Sequence, residues 1–466
     1  MKHLKYSILL VVLVVLGNAC SEDFIDKQPP LQLANEKVLS TYTGLVQATN
    51  AAYAPLYDER WYGREFIVIG DLKGGNAKSS PLNTGRYQME YNWGNNPSNT
   101  TALWSMAYMT ISRANNILEY VDGIEEPGVT EEQLGQIKGE SLFLRALSYF
   151  DLVRMYAQPY SQAPSSMGVP IVLKTEIVYP PRNTVAEVYD QIVADLLAAE
   201  EVISVPGRGT DPVAYASVDA VRALLAKVYL YMENWASAAE YATKVIDSGN
   251  YTLYTADEYA SVWGTDAASE VIFEVFGDGT QSQWPGYDEI GYIFDPEGYG
   301  DVCASNQLLD LFPANDVRGQ LYESFEDYTE YYWPLKYPGK DKPNVNNIPL
   351  LRLSEMYLIR AEAALNGASG DALADYNAVL TQRGYGPDLT VSLKKVYLER
   401  RRELAFEGNQ LWDLSRTGRG LNRDEAETTV TGDVDIPFPD YRWAMPIPLY
   451  EMEANENMEQ NPGYGN

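Results

Sequence analysis

The sequence predicts a mostly α protein of paired helices, with long irregular loops and a few short strands. Three observations lead there. Apolar residues recur at the 3.6-residue helical period over most of the 466 residues. Start and stop signals bracket those periodic stretches. Two segments, 61–96 and 270–348, break the period with Gly, Asn, Pro, Tyr and Trp, as loops on a rigid scaffold do.

The period places helices near 36–57, 99–121, 131–157, 184–203, 217–233, 235–248, 350–366, 371–382 and 391–407. Ser98-Asn99, Thr130, Asn183-Thr184 and Ser217 stand as N-caps, and Glu187 follows Thr184 at capping-box spacing. Gly249, Gly367, Gly384 and Gly408 stand where helices should stop. Between Ala220 and Asp247, the residues Ala226, Tyr229, Trp235, Ala238, Ala239 and Ala242 put small side chains where two antiparallel helices would touch. That is the mechanics of a tetratricopeptide-type (TPR-like) pair, and Ala361, Ala363, Ala364, Ala374 and Ala378 repeat it at looser spacing. The apolar run from Glu270 to Phe276 reads as a short strand.

Composition removes whole classes of chemistry. The only histidine is His3, so Ser-His-Asp and Cys-His catalysis, histidine metal sites and histidine pH switches are excluded from the rest of the chain. Of two cysteines, Cys303 has no partner if Cys20 is modified, and it reads as a small core residue. With 65 acidic against 35 basic residues and a net charge of −30, the chain repels nucleic acid and anionic headgroups. Carboxylates are so numerous that counting alone leaves a glycosidase pair open.

The N-terminus reads as an export signal. Lys2 and Lys5 precede nine apolar residues, Ile8 to Leu16, too few to cross a bilayer and the right length for a signal core. Leu16-Gly17-Asn18-Ala19-Cys20 is similar to a bacterial lipobox, with Gly17 where leucine is usual. Residues 1–19 are therefore expected to be a lipoprotein signal peptide, and Cys20 the acylated anchor in an outer membrane. An ordinary secretory signal is the competing reading.

Other motifs are weak. Asp71 to Ser79 has the outline of a phosphate loop, but Ala77 replaces the required glycine before Lys78. Asp433 and Asp435 have the spacing to share a calcium ion, though loop aspartates are usually just solvated. No cofactor or metal site is expected. In the ERRRE run, Glu399 and Glu403 lie one helical turn apart with Arg400 and Arg402 between them, which favours a salt-bridge network over an anion site. Trp104, Trp235 and Trp412 lie in helical patterns and read as core.

Four blocks carry a family resemblance: KGESLFLRALSYFDLVRMYAQPY (Lys138–Tyr160), IPLLRLSEMYLIRAEAAL (Ile348–Leu365), YLERRRELAFEGNQLWDLSR (Tyr397–Arg416) and WAMPIPLYEMEANENMEQNPGY (Trp443–Tyr464). Together and in this order they resemble the SusD/RagB family of lipid-anchored nutrient-binding proteins of Bacteroidetes. Ser21, Glu22 and Asp23 are similar to the signal that sends such lipoproteins to the cell surface. The resemblance implies a TPR-type scaffold, with an N-terminal region 20–265 and a C-terminal region 266–466 packed as one body. It also implies a non-catalytic glycan-binding protein that hands oligosaccharide to a SusC-like TonB-dependent transporter. A RagB-like peptide binder is the alternative within the family; a surface glycosidase and a purely protein-binding TPR scaffold lie outside it.

Carbohydrate sites pair an indole face for the C–H side of a sugar ring with amides for its hydroxyls. Trp61, Trp93, Trp284 and Trp333 fall in irregular polar surroundings. Trp93 with Asn96 resembles the aromatic arc of starch-binding members most closely. Each ring has the competing reading of packing beneath its loop.

Overall fold

The computed structural model describes residues 36–203, 208, 212–277, 288–339, 345–423 and 435–465. Cys20, Trp284 and Asp433 lie outside the described residues. Helices α1 (Tyr42–Tyr53), α2 (Glu65–Lys73), α3 (Leu103–Tyr120), α4 (Glu131–Tyr156), α5 (Val185–Val202), α6 (Val218–Tyr231) and α7 (Trp235–Asp247) come first. After an irregular stretch follow α8 (Leu353–Leu365), α9 (Ala372–Thr381), α10 (Leu393–Glu403) and α11 (Gln410–Arg416). Among the described residues eight short strands form four separate antiparallel pairs: β1 (Ala77–Ser79) with β3 (Val302–Ala304), β2 (Val271–Val275) with β6 (Ile348–Arg352), β4 (Tyr322–Phe325) with β5 (Tyr328–Pro334), and β7 (Leu421–Asn422) with β8 (Asp435–Ile436). The fold is mostly α, as the period predicts.

The central element is α4. Thr130 and Gln133 form a reciprocal capping box at its start, with Glu131 and Glu132 in the favourable first turn. From Gln136 onward nearly every side chain is buried, because α3 and α5 pack along it. Thr184 and Glu187 cap α5 in the same way. The TPR-like pairing holds: α6 packs on α7, α7 on α8 and α8 on α9. Ala226, Ala238, Ala242 and Ala361 are fully buried, and Tyr229 stacks on Tyr241 at 5.7 Å. Ala374 instead faces solvent.

Several boundaries differ from the periodicity, each for a local reason. Helix α3 starts at Leu103, because Asn96 holds Ser98 and Asn99 in a turn through its side-chain carbonyl. The Ile348–Leu365 block is a strand followed by a helix; Ile348–Arg352 pairs with β2 before α8 begins. The periodicity misses α2, whose residues Phe66 to Lys73 are all buried, so no polar face alternates with the apolar one. Its Gly70 lies so close to Gly408 that an added Cβ would come within 2.7 Å of that backbone. Asp71, from the rejected phosphate-loop run, accepts bonds from the Phe406 and Gly408 amides at 3.0 and 2.7 Å and from Asn76 at 2.8 Å. Burial lifts its carboxyl to about 6 despite those bonds.

Helix α10 carries the ERRRE run, and it is buried. Glu403 receives Arg383 at 2.8 Å and both Arg352 and Arg318 at 3.1 Å. Arg318 also pairs with Asp316 and Glu399, and Arg352 with Glu270 and Glu407. Toward its other neighbours Arg400 bonds Asp413 and Glu355; Glu355 takes Lys227, Asp413 takes Arg416, and Arg416 takes Glu362. Burial alone would raise the carboxyls of Glu403 and Asp413. The surrounding guanidinium groups override it and hold both well below the usual carboxylate range.

A lowered folded pKa contributes stability that is complete above the unfolded value, near 4, and is lost as pH falls through the folded value. Glu403→Gln leaves three guanidinium groups short of a partner and is expected to cost about 3–5 kcal/mol at neutral pH. Its stability should also fall less steeply than the parent's below pH 4. Urea unfolding across pH 2–7 measures both effects.

Candidate functional site

Irregular segments cross one another beside the β1–β3 pair. Arg86 pairs with Asp301 at 3.1 Å and lies 3.8 Å over the Tyr299 ring, which ties the segment after β1 to the one before β3. Ser80 donates its hydroxyl to the Gly300 carbonyl, and the Trp333 indole N–H donates to that same carbonyl at 3.0 Å. Trp333 lies near the end of β5, packed edge-on against Tyr328 and tilted to Tyr331. The β4–β5 hairpin is thereby clasped to the loop that carries Gly300.

Beside this clasp the β4–β5 hairpin, the segment from Gly291 to Glu297 and residues 335–338 line a crevice of about 380 Å³. Phe294, Phe325, Trp333 and Tyr337 contribute aromatic wall. Phe294 is braced by Tyr337 at 6.0 Å and by Phe406 edge-on at 5.2 Å. Tyr337 is anchored through its hydroxyl, which donates to the Phe406 carbonyl at 2.8 Å. Asp295, Glu297 and Glu323 bring carboxylates, and Glu297 and Glu323 are exposed. None of the three has a salt bridge among the described residues. An aromatic wall with a few acceptors suits a ligand that has both C–H faces and hydroxyl donors. Among the described residues no cluster of acidic or sulfur side chains is arranged to hold a metal.

The sequence-selected residues land in different places. Trp61 is fully buried, stacked on Tyr62 at 5.5 Å, and its indole N–H donates to Asp151 at 2.7 Å. Trp93, 3 % exposed, takes a left-handed φ of 53° and packs edge-on against Trp443 at 4.7 Å. The Lys73 ammonium lies 4.0 Å over the Trp93 ring; burial draws that ammonium down to about 7. Asn96 is exposed, but its side-chain carbonyl is occupied by the Ser98 and Asn99 amides at 3.0 and 3.1 Å. Trp333 is 1 % exposed and contributes to the crevice as wall rather than as an open platform. The structure thus separates Trp61, Trp93 and Trp333 instead of gathering them into an arc.

Phe294, Phe325, Glu297 and Glu323 escaped the sequence reading. The run from Tyr322 to Trp333, dense in aromatics and acids around Glu326-Asp327, carried a hairpin signal that would have pointed to two of them.

The fold and these sequence blocks have known counterparts. Residues 23–230 match the family described as starch-binding, associating with outer membrane, and residues 329–464 match the SusD family. A SusD-like protein P2 from Formosa agariphila is 25 % identical, over 99 % of this chain and all of its own. The starch-binding protein SusD of Bacteroides thetaiotaomicron is 24 % identical over 72 % of this chain and 74 % of its own. Among solved structures, a SusD superfamily protein from Bacteroides vulgatus superposes with a TM-score of 0.83 at 30 % identity, covering 91 % of this chain and 100 % of that one. A laminarin-binding SusD-like protein shares the fold at a TM-score of 0.73 and 24 % identity, with 91 % and 100 % covered.

Trp61→Phe keeps an aromatic ring but removes the donor to buried Asp151. The expected loss is about 1–2 kcal/mol of stability, with no change in the affinity of the folded protein for ligand. Chemical denaturation and a parallel binding titration check the two halves.

Proposed function

The chain belongs to the SusD/RagB family, and from that premise we propose that it is a non-catalytic glycan-binding protein of the outer cell surface. It is anchored through lipid on Cys20 and delivers captured oligosaccharide to a SusC-like TonB-dependent transporter. No helix among the described residues is long and apolar enough to cross a membrane. Relatives named for starch binding and for association with the outer membrane support the ligand class and the location.

The observation that carries the reading is the crevice beside Trp333. Phe325, half-buried at its edge, offers a face for the C–H side of a pyranose, while the buried Phe294 is wall in the way Trp333 is. Glu297 and Glu323 accept hydroxyl protons, and they also repel a uronate or sulfate. The charge of the whole chain acts in the same direction. The proposed ligand is accordingly an uncharged oligosaccharide.

Calorimetric titration of the unlipidated Cys20→Ser chain against neutral oligosaccharides, uronate oligomers and peptides tests this. Saturable binding of a neutral sugar without hydrolysis products is expected. Phe325→Ala should weaken it by about tenfold, the loss of roughly 1.4 kcal/mol of ring stacking and burial. Glu297→Gln with Glu323→Gln should narrow the preference for neutral over uronate sugars. Peptide binding alone would replace the glycan reading with the peptide one, and released sugar would replace it with catalysis.

A further inference from the structure

A second cleft, of about 910 Å³, opens at the C-terminal end of α4. Its walls come from four parts of the chain: the loop after α4 with Gln158, Gln162 and Ser166, Gly418 after α11, the turn after β8 with Phe438 and Tyr441, and Asn461. We propose that this cleft is a separate binding site for neutral oligosaccharide; the ligand class rests on the glycan reading above, the site itself on the following geometry.

Two of the polar groups, Asn461 and Gln158, are held by backbone carbonyls with their amide oxygens left over as acceptors. Asn461 donates its amide N–H groups to the carbonyls of Tyr156 and Met445 at 2.8 and 2.7 Å. Gln158 donates to the carbonyls of Asp440 and Tyr441 at 3.3 and 3.2 Å. With carbonyl oxygens opposite them, these nitrogens cannot exchange places with their own amide oxygens without clashing lone pairs. Gln162 donates to the Ser161 hydroxyl at 3.4 Å. The amide oxygens of Gln158, Gln162 and Asn461 accept no hydrogen bond from the described residues. A ligand that brings hydroxyl donors can meet these three oxygens.

The aromatic side is built as well. Tyr441 is 43 % exposed, and its ring is propped edge-on against Tyr464 at 5.0 Å. Gly463, at φ 91°, passes beneath it; a Cβ there would lie 2.4 Å from the ring. An exposed ring is thus held in one orientation from behind. Charge is balanced, since Asp440 and Arg442 pair side by side at 2.9 Å.

Four ligand classes can be weighed against this set. A cation finds no unpaired carboxylate, and an anion finds no unpaired cation. An apolar molecule would strip water from three acceptors and return no hydrogen bond, which is unfavourable. A neutral polyol with an apolar face satisfies both halves: its hydroxyls donate to the amide oxygens and its C–H face lies on Tyr441.

The test titrates the unlipidated Cys20→Ser chain with maltoheptaose and laminarihexaose, alone and with added substitutions. Tyr441→Ala removes the ring. Ser165→Trp fills the cleft from an exposed position and leaves the Tyr441–Tyr464 packing intact. The expected result is two sites for at least one sugar, with each of these variants losing one site by tenfold or more in affinity. Phe325→Ala should lose the other, and the melting temperature of Ser165→Trp should be unchanged. Sugar binding that Phe325→Ala weakens while neither Tyr441→Ala nor Ser165→Trp alters it would overturn the cleft assignment and leave the crevice standing. No binding of either sugar by the parent chain would overturn the glycan reading and this assignment together.

Discussion

Glu403 is both charged and fully buried, and the chain meets those two demands by bringing three guanidinium groups to one carboxylate. A buried charge without partners would cost several kcal/mol, so burying Glu403 requires compensation, which Arg318, Arg352 and Arg383 supply. Those arginines come from the turn before β4, the end of β6 and the loop after α9. One side chain on α10 thereby fixes three otherwise distant segments. The same junction reaches the crevice. Lys336, two residues beyond β5, donates to the Glu403 carbonyl and pairs with Glu407 at 2.6 Å, so the strand that carries Trp333 is tied to the charge network at its end.

Most of the helical scaffold was legible because its signals are local. Thr130 and Thr184 cap where hydroxyl and partner spacing say they should, and Gly249 and Gly367 end helices at φ 68° and 99°. The ERRRE run was legible as a salt-bridge network, although only Glu399 and Arg402 pair within the helix, and Glu403 and Arg400 find their partners on other segments. What stayed hidden is what depends on distant partners. Helix α2 has no polar face because Gly408 and α11 cover its outer side. Strand β6 forms because β2 lies across from it, and nothing within Ile348–Arg352 announces that pairing.

The site was less legible than the fold, and the tryptophans show why. A polar, glycine-rich neighbourhood identifies a loop but does not say which way a large ring turns. Trp61 turns inward to a buried carboxylate, and Trp93 turns inward to Trp443 while Asn96, three residues on, stays out. A loop needs its own small core, and the largest residue in it is the best plug. The rings left at cavity edges, Phe325 and Tyr441, are the more modest ones. The amides of the second cleft lie some 300 residues apart in sequence, a juxtaposition that only the folded chain supplies.

The position of that cleft also bears on how such a body would be held at a surface. Helix α4 works as a ruler: 26 residues at 1.5 Å each span about 39 Å. At its start, Glu126 accepts the Tyr42 amide at 2.9 Å and so locates α1; at its end lies Gln158 and the cleft. The two ends of α4 are thus separate faces of one rigid element, so a contact made at the Tyr42 end would leave the cleft at the Gln158 end open to ligand.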